Sequence, residues 1–416
     1  MIPPATDQPL VDRGHTSSVV WVLAATVVAG ISGYLVMWAV ARAVGAADYS
    51  IFGVFWSGLF LIVGVLFGVQ QETTRATADA LHRAVVAAPR SSLWAFAGVL
   101  ALVVVAVVLV SGIWWGPATL GADQAGLTLQ IALGSAANAI VATISGVVAG
   151  ARMWRHMGAI IAIDGIVRLV AVLLVLSVST DPGLLAWAVI VPFPLSLGIV
   201  FLISPRPLLR LSRSSLSYRQ LTTNSLHTML AASATALVIN GFPLVLSFFA
   251  GPDDKAILGA LILAITITRA PVLVPLMALQ SYLVTRFTGL TASPWPLIRR
   301  AFVMLALAML VLAGATWLWG TAAFETLIGE EFALSTAALV PLVVSSGFIG
   351  ALCVTGPALL ASGRHRSYAS GWVVASVVAI AALFLPMPLE AKAAVALAAG
   401  PLVGLVVHIV LLRRKP

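Results

Sequence analysis

From near residue 17 to residue 412 the chain is a succession of apolar runs separated by short polar turns. Each run is close to the roughly 20 residues that one helical bilayer crossing needs. Only 9% of residues are charged and 61% are hydrophobic, where a soluble chain carries about a quarter charged residues. Such a surface excludes a soluble enzyme, a secreted disulfide scaffold and a disordered regulator. The expected fold class is all-α: a polytopic membrane protein of about 12 transmembrane helices.

Runs bounded by charge, Pro or Gly place crossings near 17–41, 51–70, 93–115, 127–150, 158–178 and 184–203. A second set follows near 224–250, 256–285, 301–319, 336–361, 369–388 and 393–412. Alternate loops then differ sharply in basic charge. Eighteen Lys and Arg residues fall on one side, from Arg13 through the Arg206, Arg210, Arg213 and Arg219 loop to Arg413, Arg414 and Lys415. The other side holds only Arg42, Lys255 and Lys392. The positive-inside rule makes the first side, with both termini, cytoplasmic. The +9 net charge is therefore a topology signal, and no nucleic-acid partner is expected. The polar start of the chain has no small-residue cleavage site, so the first helix reads as a retained signal anchor. Cys353 is the single cysteine, which rules out a disulfide within the chain.

The longest basic loop divides the crossings six and six. The expected organisation is a cytoplasmic segment 1–16, a six-helix bundle 17–203, a basic linker 204–223, a second bundle 224–412 and a tail 413–416. Six is even, so the halves would face the same way, as in parallel transporter repeats. Shifting by 206 residues lays Asp48 and Gly53 onto Asp254 and Gly259. Prolines 192, 194, 243, 271, 275, 341 and 357 fall inside crossings, where each removes a backbone hydrogen bond and can open a cavity wall.

A charge near the bilayer centre costs roughly 2.5–3.5 kcal/mol on insertion scales, so each needs a partner, a wet cavity or a function. Asp164 and Arg168 are four apart on one helix face and can pair; both a coupling role and a purely structural one are open to them. Arg269 has no acidic neighbour in its helix. A fixed guanidinium in a cavity suits phosphate oxygens, so Arg269 is the leading substrate-binding candidate. Arg42 and Arg75 could extend the basic lining. Tyr34, Gln71, Asn240 and Gln280 supply hydrogen bonding from crossings one, two, seven and eight, where a cavity between two halves would need it. The acidic loop with Glu325, Glu330 and Glu331 reads as solvated, and His408 as interfacial. No metal-binding, nucleotide-binding or nucleophile motif is present in the sequence, so neither cofactor nor catalytic residue is expected.

Residues 41–78, with Arg42-x-x-Gly45, Phe52-Gly53 and Gln71-Glu72 followed by Arg75, resemble the opening of Wzx-type polysaccharide-biosynthesis flippases. These are a branch of the multidrug/oligosaccharidyl-lipid/polysaccharide (MOP) exporter superfamily. A second match is 265–287, where Arg269-Ala270-Pro271 precedes a segment containing Gln280. The resemblance implies two bundles around a central cavity in a bacterial cytoplasmic membrane. It also implies movement of an undecaprenyl-pyrophosphate-linked oligosaccharide to the outer leaflet by alternating access. Arg75 and Arg269 would then anchor the pyrophosphate, with Gln71 and Gln280 nearby. Membrane lipids, a polysaccharide polymerase and glycosyltransferases would be its partners. Relatives often carry an acid before the proline at the position of Asn240-Gly241-Phe242-Pro243; its absence here weakens ion coupling at that site. A multidrug/cation antiporter of the related MATE branch is the alternative, and a membrane-embedded glycan-assembly enzyme is a third.

Overall fold

The computed structural model describes residues 13–82, 90–288 and 293–414. Ten helical stretches among them are long and apolar enough to cross a bilayer. The first, Val20–Leu81, has 62 residues, about twice what a crossing needs. It lies in helix α1 (Arg13–His82), which turns at Gly45, where φ is +77° and ψ is 170°. A side chain would be strained in that conformation, so Gly45 separates two crossings without a loop. Helix α13 (His365–Ala382) is too polar at its start to be counted by hydropathy, yet it packs along α14 (Leu389–Arg413). With these two the described chain makes twelve crossings, and its ends share the arginine-rich face.

The remaining crossings follow in chain order. They are α2 (Leu93–Thr119), α3 (Ala125–Gly150), α4 (Trp154–Leu176), and a sixth crossing split by Pro192 into α5 (Pro182–Ile190) and α6 (Pro192–Ile203). The expected linker is partly ordered: it holds α7 (Pro205–Leu211) and a two-residue strand, Arg213–Ser214, paired antiparallel with Ser91–Ser92. Ser217 then starts the seventh crossing early through a capping box with Gln220, because a Ser hydroxyl and a Gln amide satisfy the free N–H groups of a helix start. That crossing runs as α8 (Tyr218–Ala236), a π-helical turn (Leu237–Gly241) and α9 (Phe242–Ser247). Then come α10 (Lys255–Thr288), α11 (Trp295–Leu327) and α12 (Thr336–Ala361).

Burial repeats with a period of six crossings. The third and ninth, α2 and α11, expose Leu102, Val107, Leu310 and Trp317 to lipid. The fourth and tenth, α3 and α12, are mostly buried. Helix α1 touches α3 and α4 on one side and α8 and α10 on the other, so the first two crossings carry the contact between the halves. Gly53 and Gly259, matched by the sequence shift, both sit there: a Cβ on Gly53 would lie 2.7 Å from Ile262, and one on Gly259 would strike the Ala46 carbonyl.

Candidate functional site

The site begins with a defect. Pro243 has no N–H, so neither an α-helical bond to Ile239 nor a π-helical bond to Val238 can form from it. The π turn directly before it leaves both carbonyls free to accept from elsewhere. Arg269 of α10 takes them: its Nη1 donates to Val238 O at 3.1 Å and to Ile239 O at 3.3 Å. Ser57 of the second crossing holds the other side. Its hydroxyl donates to Asn240 O at 2.5 Å and accepts from Leu244 N at 3.1 Å. Crossings two, seven and eight thus meet at one distorted turn, as π turns at functional positions often do.

Two cavities flank that turn. The one towards the arginine-rich face has a volume of about 340 Å³, with Gln70, Gln71, Asn138, Thr235, Asn240 and Tyr368 on its walls. The one towards the opposite face, about 280 Å³, is lined by Tyr34, Ser57, Arg168, Asn240, Thr266 and Arg269. Ile239 and Asn240 line both, so the π turn is the partition. No carboxylate lines either cavity.

Arg269 is 3% exposed, and its Nε and Nη2 have no partner among the described residues. A guanidinium binds an oxyanion best by two parallel N–H bonds from one edge. Here Nη1 is occupied by the π turn, while the edge formed by Nε and Nη2 is buried and unpaired. A buried donor left unsatisfied costs about 1–3 kcal/mol, more when charged, so this edge favours an incoming anion.

Arg168 lines the same cavity but is spoken for. Its Nη2 lies 2.7 Å from both oxygens of Asp164, and its Nε donates to Val189 O at 3.2 Å beside the Pro192 break. Phe60 and Phe193 stack on it at 5.3 and 5.0 Å. The pair is self-neutralised, so Arg269 sets the sign of the cavity.

Other candidates lie elsewhere. Arg75 is half exposed, bound to Glu72 by Nε at 2.8 Å and Nη2 at 2.6 Å, and to Asp79 at 3.2 Å. It lines neither cavity, because the acids of its own helix are nearer. Glu72 itself is buried and accepts from Asn224 Nδ2 of α8 at 2.8 Å. Arg42 lies at the opposite rim, where it and Trp38 donate to Leu327 O at the end of α11, at 3.1 and 3.0 Å. A cation there complements the negative end of a helix, which is why it does not turn inwards. Gln280 lies on α10, with its side chain outside the described residues.

Of two further sequence expectations one is extended and one is corrected. Glu331 is exposed, as expected of this loop, yet its carboxylate also accepts from Ala46 N at 3.0 Å and so caps the helix that begins the second crossing. His408 is fully buried, with Nδ1 2.9 Å from the Thr355 hydroxyl and Nε2 3.0 Å from Tyr368 O. A carbonyl can only accept, so Nε2 carries the proton.

No family model matches the chain. The uncharacterized protein Rv1510 of Mycobacterium tuberculosis (strain ATCC 25618 / H37Rv) is 31% identical over 405 residues, 96% of this chain and 92% of that one. The uncharacterized protein Mb3654 of Mycobacterium bovis is 33% identical over 409 residues, 96% of this chain and 93% of that one. The chain belongs to this mycobacterial family.

Solved structures resemble this chain in fold. The lipid II flippase MurJ in an inward closed conformation is similar with a TM-score of 0.73 at 12% identity, over 94% of this chain and 87% of that one. An inward-facing MATE multidrug resistance transporter of the MOP superfamily gives 0.66 at 14%, over 95% and 97%. A MOP superfamily transporter from Pyrococcus furiosus, described by a reversed polarity of its binding pocket, gives 0.57 at 14%, over 96% and 95%. At such identities the likeness is one of fold: this chain has the fold of MOP superfamily transporters.

Sequence reasoning found Arg269, Tyr34, Asn240, Gln71 and Arg168 on the cavity walls. It missed Ser57 and Thr266, since a lone hydroxyl in an apolar run looks the same whether it faces lipid, a neighbour or a cavity.

Proposed function

We propose that this protein is a flippase that moves a polyprenyl-pyrophosphate-linked oligosaccharide from the cytoplasmic to the outer leaflet by alternating access, for cell-surface polysaccharide assembly. The observation that carries the reading is the unpaired Nε/Nη2 edge of Arg269 beside a cavity with no carboxylate on its walls. A doubly charged pyrophosphate is the substrate group that such an edge selects, and a neutral or cationic drug is not. Gln70, Gln71, Asn138 and Asn240 suit sugar hydroxyls in the chamber nearer the cytoplasm. The polyprenyl chain stays in lipid. On this reading the π turn is the partition the headgroup must pass, and Arg269 receives the pyrophosphate on its far side. Arg75 joins the path only if Glu72 and Asp79 release it.

The antiporter reading needs an accessible membrane carboxylate to exchange for a proton or sodium ion. Asp164 is held by Arg168 with both oxygens, so it favours the flippase.

The test is transbilayer movement of a fluorescent polyprenyl-pyrophosphate sugar in proteoliposomes, with wild type beside Arg269→Ala. Movement that requires both protein and Arg269 is expected. Movement unchanged in Arg269→Ala would remove the anchor from the mechanism, and transport of a cationic dye in place of the lipid would establish the antiporter.

A further inference from the structure

A third cavity, of about 390 Å³, lies apart from the transport path, between the first turns of α11 and the last turns of α14. It shares no residue with the other two. Ile298, Phe302 and Ile409 form an apolar floor, and Trp295, Arg299 and Arg413 stand round its mouth. Arg413 lies with its guanidinium carbon 5.5 Å from the centre of the Trp295 ring. Stacking of this kind fixes the plane of the guanidinium while leaving its N–H edges free.

Among the described residues neither Arg299 nor Arg413 has an ion-pair partner; the ion pairs are those of Arg75 and Arg168. No Asp or Glu occurs in residues 255–324, 332–389 or 391–416, so the arginine-rich face of this half has none to offer. The groove lies where α11 begins and α14 ends, with buried or half-buried apolar residues along one part of its wall and two exposed cations along the other. That polarity matches a membrane amphiphile with an anionic head, and basic pockets between helices on the cytoplasmic side bind such heads. We infer that this groove holds one anionic phospholipid of the cytoplasmic leaflet. Its phosphodiester sits between Arg299 and Arg413, and an acyl chain runs over Ile298, Phe302 and Ile409. The lipid bridges α11 to α14, and α11 is the crossing that protein contacts hold least.

The test uses the full-length protein in mild detergent, titrated with phosphatidylglycerol, phosphatidylcholine or inorganic phosphate and read by native mass spectrometry. Phosphatidylglycerol is expected to remain bound and phosphatidylcholine to be lost, with inorganic phosphate unable to displace the lipid. R299Q/R413Q should weaken retention roughly 30-fold, from ~1 kcal/mol per basic side chain near the surface. F302W fills the groove but keeps both charges, and should also release the lipid. R206Q/R210Q removes two cations from the same face outside the groove and should leave retention unchanged. Equal retention of the two lipids, displacement by inorganic phosphate, or full retention in F302W would each overturn the assignment. If R299Q/R413Q does not elute as a single species, F302W decides.

Discussion

The carboxylate of Glu331 accepts a hydrogen bond from the backbone N–H of Ala46 at 3.0 Å, although 285 residues separate them. Phe332 adds an edge-on contact with Tyr49 at 5.6 Å, and Trp38 and Arg42 reach the end of α11 beside them. These contacts tie the first two crossings to the second half on the face opposite the arginines. In a transporter of alternating access they form the outer seam. Replacing a charged cap costs about 1 kcal/mol, so Glu331→Gln should raise the outward-open population about fivefold. The measure is labelling of Tyr34→Cys by an impermeant maleimide in a Cys353→Ala background. Equal labelling with and without Glu331→Gln would separate the cap from the gate.

Arg269 should tolerate neither loss nor simple exchange. Arg269→Ala removes two charge-assisted hydrogen bonds to the substrate anion, together worth roughly 3 kcal/mol or more, and transport should fall at least about 100-fold. Arg269→Lys keeps the charge but not the fork, and should land between. Initial rates of lipid movement in proteoliposomes give the ranking. A Lys variant as fast as wild type would mean that charge alone suffices.

Pro243→Ala restores an N–H that can reclaim the carbonyls now held by Arg269. The crossing should regularise, with thermal stability in detergent unchanged or higher and transport reduced. Ser57→Ala, by contrast, loses two hydrogen bonds and should destabilise by about 1–2 kcal/mol. Thermal unfolding beside transport rates distinguishes the two. Loss of stability in Pro243→Ala would show that the π turn is a packing solution rather than a functional one.

The Asp164–Arg168 pair should behave as structure. Asp164→Asn leaves a buried guanidinium without its partner and is expected to cost about 3–5 kcal/mol, whereas Asp164→Leu with Arg168→Met should restore most of that loss. Thermal unfolding of single and double variants closes the cycle. A stable Asp164→Asn that no longer transports would instead make Asp164 a coupling residue.

The all-α polytopic fold and the number of crossings were legible in the sequence because both depend on a local sum. Twenty apolar residues cross a bilayer whatever their neighbours are, and arginines mark the side on which a loop stays. Even Arg269 stood out alone, since an unpaired charge in lipid demands an explanation. What a charge touches is a different matter. Arg75, Arg42 and Arg269 were all candidates for a basic lining, yet Glu72 captures the first, the end of α11 the second, and the third keeps an unpaired edge because Pro243 left two carbonyls for its other nitrogen. His408 was misread, and the cap made by Glu331 was missed, for the same reason: their partners, the Thr355–Tyr368 pair and Ala46, come from distant crossings. Transfer free energy into the membrane is additive along the sequence, so the crossings could be read there. Hydrogen-bond partners are chosen by packing between helices far apart in the chain, and only the tertiary structure decides them.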